Sequence, residues 1–117
     1  MDNVILDKSK SFAIRCIRLC QYLAEAKREF TLSKQLLRSG TSIGANCREA
    51  ARAQSAADFV SKLNIALKEA DETAYWLELL HETDYLDDDP FKSIDADVEE
   101  LIRILVSIIK TTKINQL

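Results

Sequence analysis

Glu78-Leu-Leu-His81 places a carboxylate and the chain's single imidazole three residues apart, one turn along a helix. Di-iron bundles use that spacing, with a second such pair and two further glutamates converging inside a four-helix core. Here it occurs once, so His81 reads first as a packed or capping histidine. Cys16 and Cys20 are also one turn apart, and with Cys47 and His81 they would form a Cys₃His zinc set if all four met in the core. Their apolar neighbours favour inert buried thiols instead, and a thiol nucleophile would have only His81 to activate it. No Ser/His/Asp set or Gly-rich phosphate loop is present, so no catalytic residue, metal or cofactor is assigned.

Two surface constellations remain. Lys34, Arg38, Arg48 and Arg52 recur along one side of a helix, a basic stripe suited to phosphate contacts. Aromatic residues for base stacking do not interleave with it, and Glu49 lies beside it as an ion-pair partner. Ile65, Trp76 and Leu79 form an apolar set on a helix whose other side is already apolar, and a large aromatic outside the core stripe is the residue type that anchors interfaces. Self-association through this set is the expected use, with Asn46, Glu49, Arg52 and Asp58 as polar contacts within or between subunits.

The elements that must position these residues are helices. With 2 Gly and 1 Pro in 117 residues the chain has few turns, and 47% apolar residues are enough to bury one core. Helical periodicity predicts a first helix over about 7–27, with Phe12, Cys16, Leu19, Cys20 and Leu23 inward. A second runs over about 32–53 after Thr31 as N-cap, with Leu36, Gly40, Ile43, Gly44, Cys47 and Ala51 inward. Two glycines spaced i, i+4 on one face cost helix propensity and point to close approach of a neighbouring helix, with a local break near Gly40 as the alternative. Ser55-Ala-Ala-Asp58 resembles a capping box and opens a third helix over about 56–82, with Phe59, Val60, Leu63, Ala66, Leu67, Ala70, Ala74 and Leu77 inward. Asp84 to Phe91 reads as the linker, and a fourth helix over about 92–112 turns Ile94, Val98, Leu101, Ile102, Leu105 and Ile109 inward. Short connections make sequential helices antiparallel neighbours, so the expected fold is an all-α, up-down-up-down antiparallel four-helix bundle forming one domain over residues 1–117.

Net charge is −3, but residues 1–69 carry 12 Lys/Arg against 7 Asp/Glu and residues 70–117 carry 4 against 12. The split serves helix-to-helix or subunit-to-subunit complementarity, while the overall negative charge repels phosphate at long range. Three cysteines, an odd number, fit a reducing compartment, and no apolar run approaches the length of an export signal or a membrane span. A cytoplasmic location without membrane attachment is the expectation.

Ser42-Ile-Gly-Ala-Asn46, Glu49, Arg52-Ala-Gln-Ser55-Ala-Ala-Asp58-Phe59, Ile65-Ala66 and the Glu-rich stretch before Leu77 to Leu80 carry a resemblance. The chain resembles the small bacterial four-helix bundle proteins first known as intervening-sequence proteins, encoded within insertions in 23S ribosomal RNA genes. Their patterns S-I-x-x-N-I-A-E-G and R-x-S-x-x-[DE]-F are kept at Ser42, Ile43, Asn46, Glu49, Arg52, Ser55, Asp58 and Phe59. Arg48-Glu49-Ala50 replaces the family's Ala-Glu-Gly, so the second helix is expected to continue further. The resemblance implies an antiparallel bundle that assembles into a homo-oligomeric ring, typically a pentamer, with no activity established for most members. Accessory proteins of diversity-generating retroelements look similar and bind nucleic acid and a reverse transcriptase through strongly basic surfaces, whereas this chain is acidic overall. A non-catalytic binding or scaffold protein is the leading expectation, and a nucleic-acid-binding accessory protein using Lys34, Arg38, Arg48 and Arg52 is the alternative.

Overall fold

The computed structural model describes residues 3–115, in four helices: α1 (Asn3–Lys27), α2 (Leu32–Ala51), α3 (Ala56–Glu82) and α4 (Asp88–Asn115). Each packs on the next, and α1 closes against α4 along the thinnest of the four seams. Ion pairs give the directions. Lys8 meets Glu100 at 3.1 Å and Arg15 meets Asp97 at 2.6 Å, which sets α4 antiparallel to α1. Glu49 meets Lys62 at 3.4 Å while Arg38, a few turns earlier on α2, reaches Glu69 at 3.2 Å, which sets α3 antiparallel to α2. The result is the expected up-down-up-down bundle, 50 × 21 × 19 Å.

The core follows the heptad-like spacing of the apolar residues. Phe12, Cys16 and Leu23 of α1, Leu36, Ile43 and Cys47 of α2, Leu63, Ala66, Ala70 and Leu77 of α3, and Val98, Leu101 and Leu105 of α4 are all buried. Each large aliphatic side chain among them contributes about 1.5–3 kcal/mol relative to exposure. Ala51, expected inward, is exposed, and Ala50 takes the buried place because the helical period steps from Ile43 through Cys47 to residue 50. The two glycines do serve close approach. A β-carbon at Gly44 would stand 3.3 Å from Ser9 Oγ, and one at Gly40 would collide with Cys16, so α1 and α2 touch nearly backbone to backbone.

The helix ends depart from the sequence reading for local reasons. Thr31 makes no side-chain cap. Glu29 does the work instead: its carboxylate accepts the backbone N–H groups of Thr31 (3.1 Å), Leu32 (2.9 Å) and Ser33 (2.8 Å). Arg28 is left-handed (φ 55°), and the chain turns there as Glu29 N–H donates back to Leu23 O. α2 stops at Ala51 rather than running on, because Arg52 and Ala53 close it with tight bonds to the carbonyls of Glu49 and Ala50. Ser55 then caps α3 as expected, its hydroxyl accepting from Asp58 N at 3.0 Å.

Asp84 to Phe91 is only partly a linker. Asp84 adopts φ 69°, with Asp84 N–H on His81 O and Tyr85 N–H on Leu80 O, the Schellman arrangement that ends a helix. α4 already begins at Asp88, not near 92. Pro90 sits in its first turn, where no N–H partner is needed, and Asp88 and Asp89 meet the positive end of the helix dipole. At its other end α4 runs to Asn115, beyond the expected 112.

Candidate interaction surfaces

The residues that could have held a metal do not converge. His81 lies at the α3–α4 corner, its ring stacked on Phe91 (centroids 4.1 Å apart) and its Nε2 2.6 Å from Asp88 Oδ1. The His81 hydrogen bond and charge hold the Asp88 carboxyl below its usual range. Glu78 is exposed and makes no ion pair among the described residues. Cys16 and Cys47 are buried, and Cys20 Sγ donates to Ser33 O at 3.2 Å. Burial pushes the thiols up, to about 12 for Cys16 and about 11 for Cys47; for Cys20 burial and then the Glu29 charge raise it to about 11. No cluster of three or more His, Cys, Asp or Glu with metal-binding geometry occurs among the described residues.

The basic stripe is broken at one position. Arg38 is clasped by two carboxylates of α3, Glu69 and Glu72, which hold its guanidinium firmly charged. Lys34, Arg48 and Arg52 are exposed and form no ion pair among the described residues. Lys10 of α1 joins Arg48 and Arg52 around one depression of about 330 Å³, together with Leu6, Asp7 and Ala51. Sequence reasoning missed the clasp, although Glu69 and Glu72 fall at helical spacing from Lys62 and Ile65 on one flank of α3.

That flank is the second surface. Asp58, Lys62, Ile65, Glu69, Glu72, Trp76 and Leu79 recur at alternating four- and three-residue steps along the α2-facing edge of α3. Ile65 is 41% exposed. Trp76 and Leu79 are partly buried, Trp76 packing against the core, with Tyr75 tilted beside it at 5.3 Å. Trp76 Nε1 is buried without a hydrogen-bond partner among the described residues. Of the accompanying polar residues, Asn46 donates to Ser42 O in its own helix (2.8 Å), Glu49 pairs with Lys62, Asp58 is held at the α3 cap through its backbone, and Arg52 stays exposed. The structure thus brings Asn46 and Glu49 into contacts within the subunit.

Fold and helix packing together define a small all-α four-helix bundle protein. The family model of the 23S rRNA-intervening sequence protein matches residues 1–107, and the chain belongs to that family. It is also similar to a crystal structure of a protein of unknown function from the S23 ribosomal protein family of Bacteroides thetaiotaomicron VPI-5482. The two share 58% identity over 93% of this chain and 97% of that one, with a TM-score of 0.92. No curated protein matches the chain. Among the described residues no helix is long and apolar enough to cross a membrane.

Proposed function

We propose that this chain is a non-catalytic, cytoplasmic scaffold that works as a homo-oligomer, in the ring, typically a pentamer, that its family resemblance implies. The observation that carries the reading is the α3 edge, where Ile65 is 41% exposed beside the partly buried Trp76 and Leu79. Aromatic and aliphatic side chains at the margin of a closed core anchor subunit contacts because their burial removes apolar surface from water without a new charge to desolvate. The engaged His81 and the raised thiol pKa values support a role without covalent or acid–base chemistry.

Light scattering tests it. The native mass is expected to be a multiple of 13.3 kDa, and Trp76→Ala is expected to lower it. A wild-type chain that stays at 13.3 kDa at working concentration overturns the reading. Nucleic-acid binding by the α2 stripe has weaker support, since Arg38 is already neutralised by Glu69 and Glu72.

A further inference from the structure

The outer face shared by α1 and α2 combines two features that no intramolecular contact uses. Its cations are unpaired: Lys10, Lys34, Arg48 and Arg52 form no ion pair among the described residues, whereas Lys8, Arg15, Arg38 and Lys62 are all matched with carboxylates. Its aliphatic residues are exposed, Ile17 by 38% and Leu37 by 39%. Register places the two sets together. Cys20 against Ser33, Cys16 against Gly40 and Ser9 against Gly44 align the helices so that Ile17 lies across from Leu37, one turn from Lys34 at one end of α2 and about three turns from Arg48 toward the other.

From these observations we infer that the α1/α2 face docks on an anionic lipid surface. The row from Lys34 to Arg52 is about 27 Å long at 1.5 Å per residue, with cations at both ends and aliphatic side chains between them. A single small anion would use one end only. An extended anionic layer whose headgroups meet the cations and whose acyl boundary receives Ile17 and Leu37 uses the whole row. Nucleic acid fits less well, because the exposed side chains between the cations are aliphatic and offer no stacking plane. Asp7 is the one acid in the Lys10 depression. The acids of α3 and α4 that reach α1 and α2 are already matched, Glu69 and Glu72 with Arg38, Asp97 with Arg15 and Glu100 with Lys8, so they do not cancel the attraction, and the remaining acids of those helices stand on the other half of the bundle. They orient it, since the chain's charge asymmetry turns the basic face toward a negative layer.

The test is co-sedimentation of the full chain with vesicles of phosphatidylcholine alone and of an equimolar phosphatidylcholine–phosphatidylserine mixture, at low and raised salt. Binding is expected only with phosphatidylserine, with release as salt rises. Lys10→Glu with Arg48→Glu is expected to weaken it about tenfold or more, while Arg103→Glu on α4 leaves it unchanged. Ile17→Ser with Leu37→Ser should weaken binding and keep its salt dependence, with circular dichroism confirming an intact helix content for each variant. Equal binding to both vesicle types, binding indifferent to the charge reversals, or binding of duplex RNA with none to vesicles overturns the inference. Trp76→Ala is expected to retain phosphatidylserine-dependent binding, so failure of the self-assembly reading and failure of this one are read separately.

Discussion

A β-carbon on Gly40 would stand 2.5 Å from the sulfur of Cys16, and 3.1 Å from its Cβ. The two residues are therefore a matched pair: the missing side chain on α2 is the space that the buried thiol of α1 occupies. Gly40→Ala gains up to about 1 kcal/mol of helix propensity, and overpacking of a fully buried contact costs about 1–3 kcal/mol. We expect net destabilisation in thermal or urea unfolding, largely relieved in the Cys16→Ala background. Equal effects of Gly40→Ala in the two backgrounds would show that the contact does not limit packing.

Glu29 is 8% exposed, and its carboxylate takes three backbone N–H groups at the start of α2. Burial alone would raise its pKa, but the bonds from Leu32, Ser33 and Thr31 outweigh burial and hold it below the ordinary value. A depressed folded-state pKa stabilises above the unfolded value near 4.3, and that stability is lost as pH falls through the lower folded value. Glu29→Ala should therefore cost about 1–2 kcal/mol at neutral pH. The gap to wild type in unfolding experiments should narrow below about pH 4.

Cys16, Cys47 and Cys20 should resist a thiol reagent in the folded protein. Burial raises all three, to about 12, 11 and 11, so little thiolate exists at pH 8. Labelling with an aromatic disulfide is expected to be slow in buffer and to reach three thiols per chain in denaturant. Rapid native labelling of any one of them would identify a reactive thiol.

Trp76 carries a buried N–H with no acceptor among the described residues. Removing an unpaired buried donor while keeping an aromatic ring relieves a desolvation cost of about 1–3 kcal/mol, partly offset by the smaller ring's packing loss. Trp76→Phe should thus leave the unfolding midpoint unchanged or raised and preserve the oligomer mass, in contrast to Trp76→Ala. A marked fall in stability for Trp76→Phe would show that the indole N–H has an acceptor after all.

Apolar periodicity, scarce Gly and Pro and short connections determined the four helices, their order, their antiparallel packing and most of the core, because burial of one stripe per helix leaves few other solutions. The glycine pair was legible for the same reason: two costly residues one turn apart on an inward face demand a close neighbour. Ion pairs between helices were decided only by tertiary structure, and the start of α2 by a local turn that apolar spacing does not reveal. Nothing in that spacing marks Glu29 as the cap of α2, since its function depends on a left-handed Arg28 that folds the carboxylate back onto the following N–H groups. The fate of Arg38 likewise depends on α3 bringing Glu69 and Glu72 alongside, 31 and 34 residues away, which divided one basic row into a clasped cation and an unpaired set that Lys10 joins. Charge partners of long side chains are set by which surfaces meet, and that is a property of packing rather than of spacing.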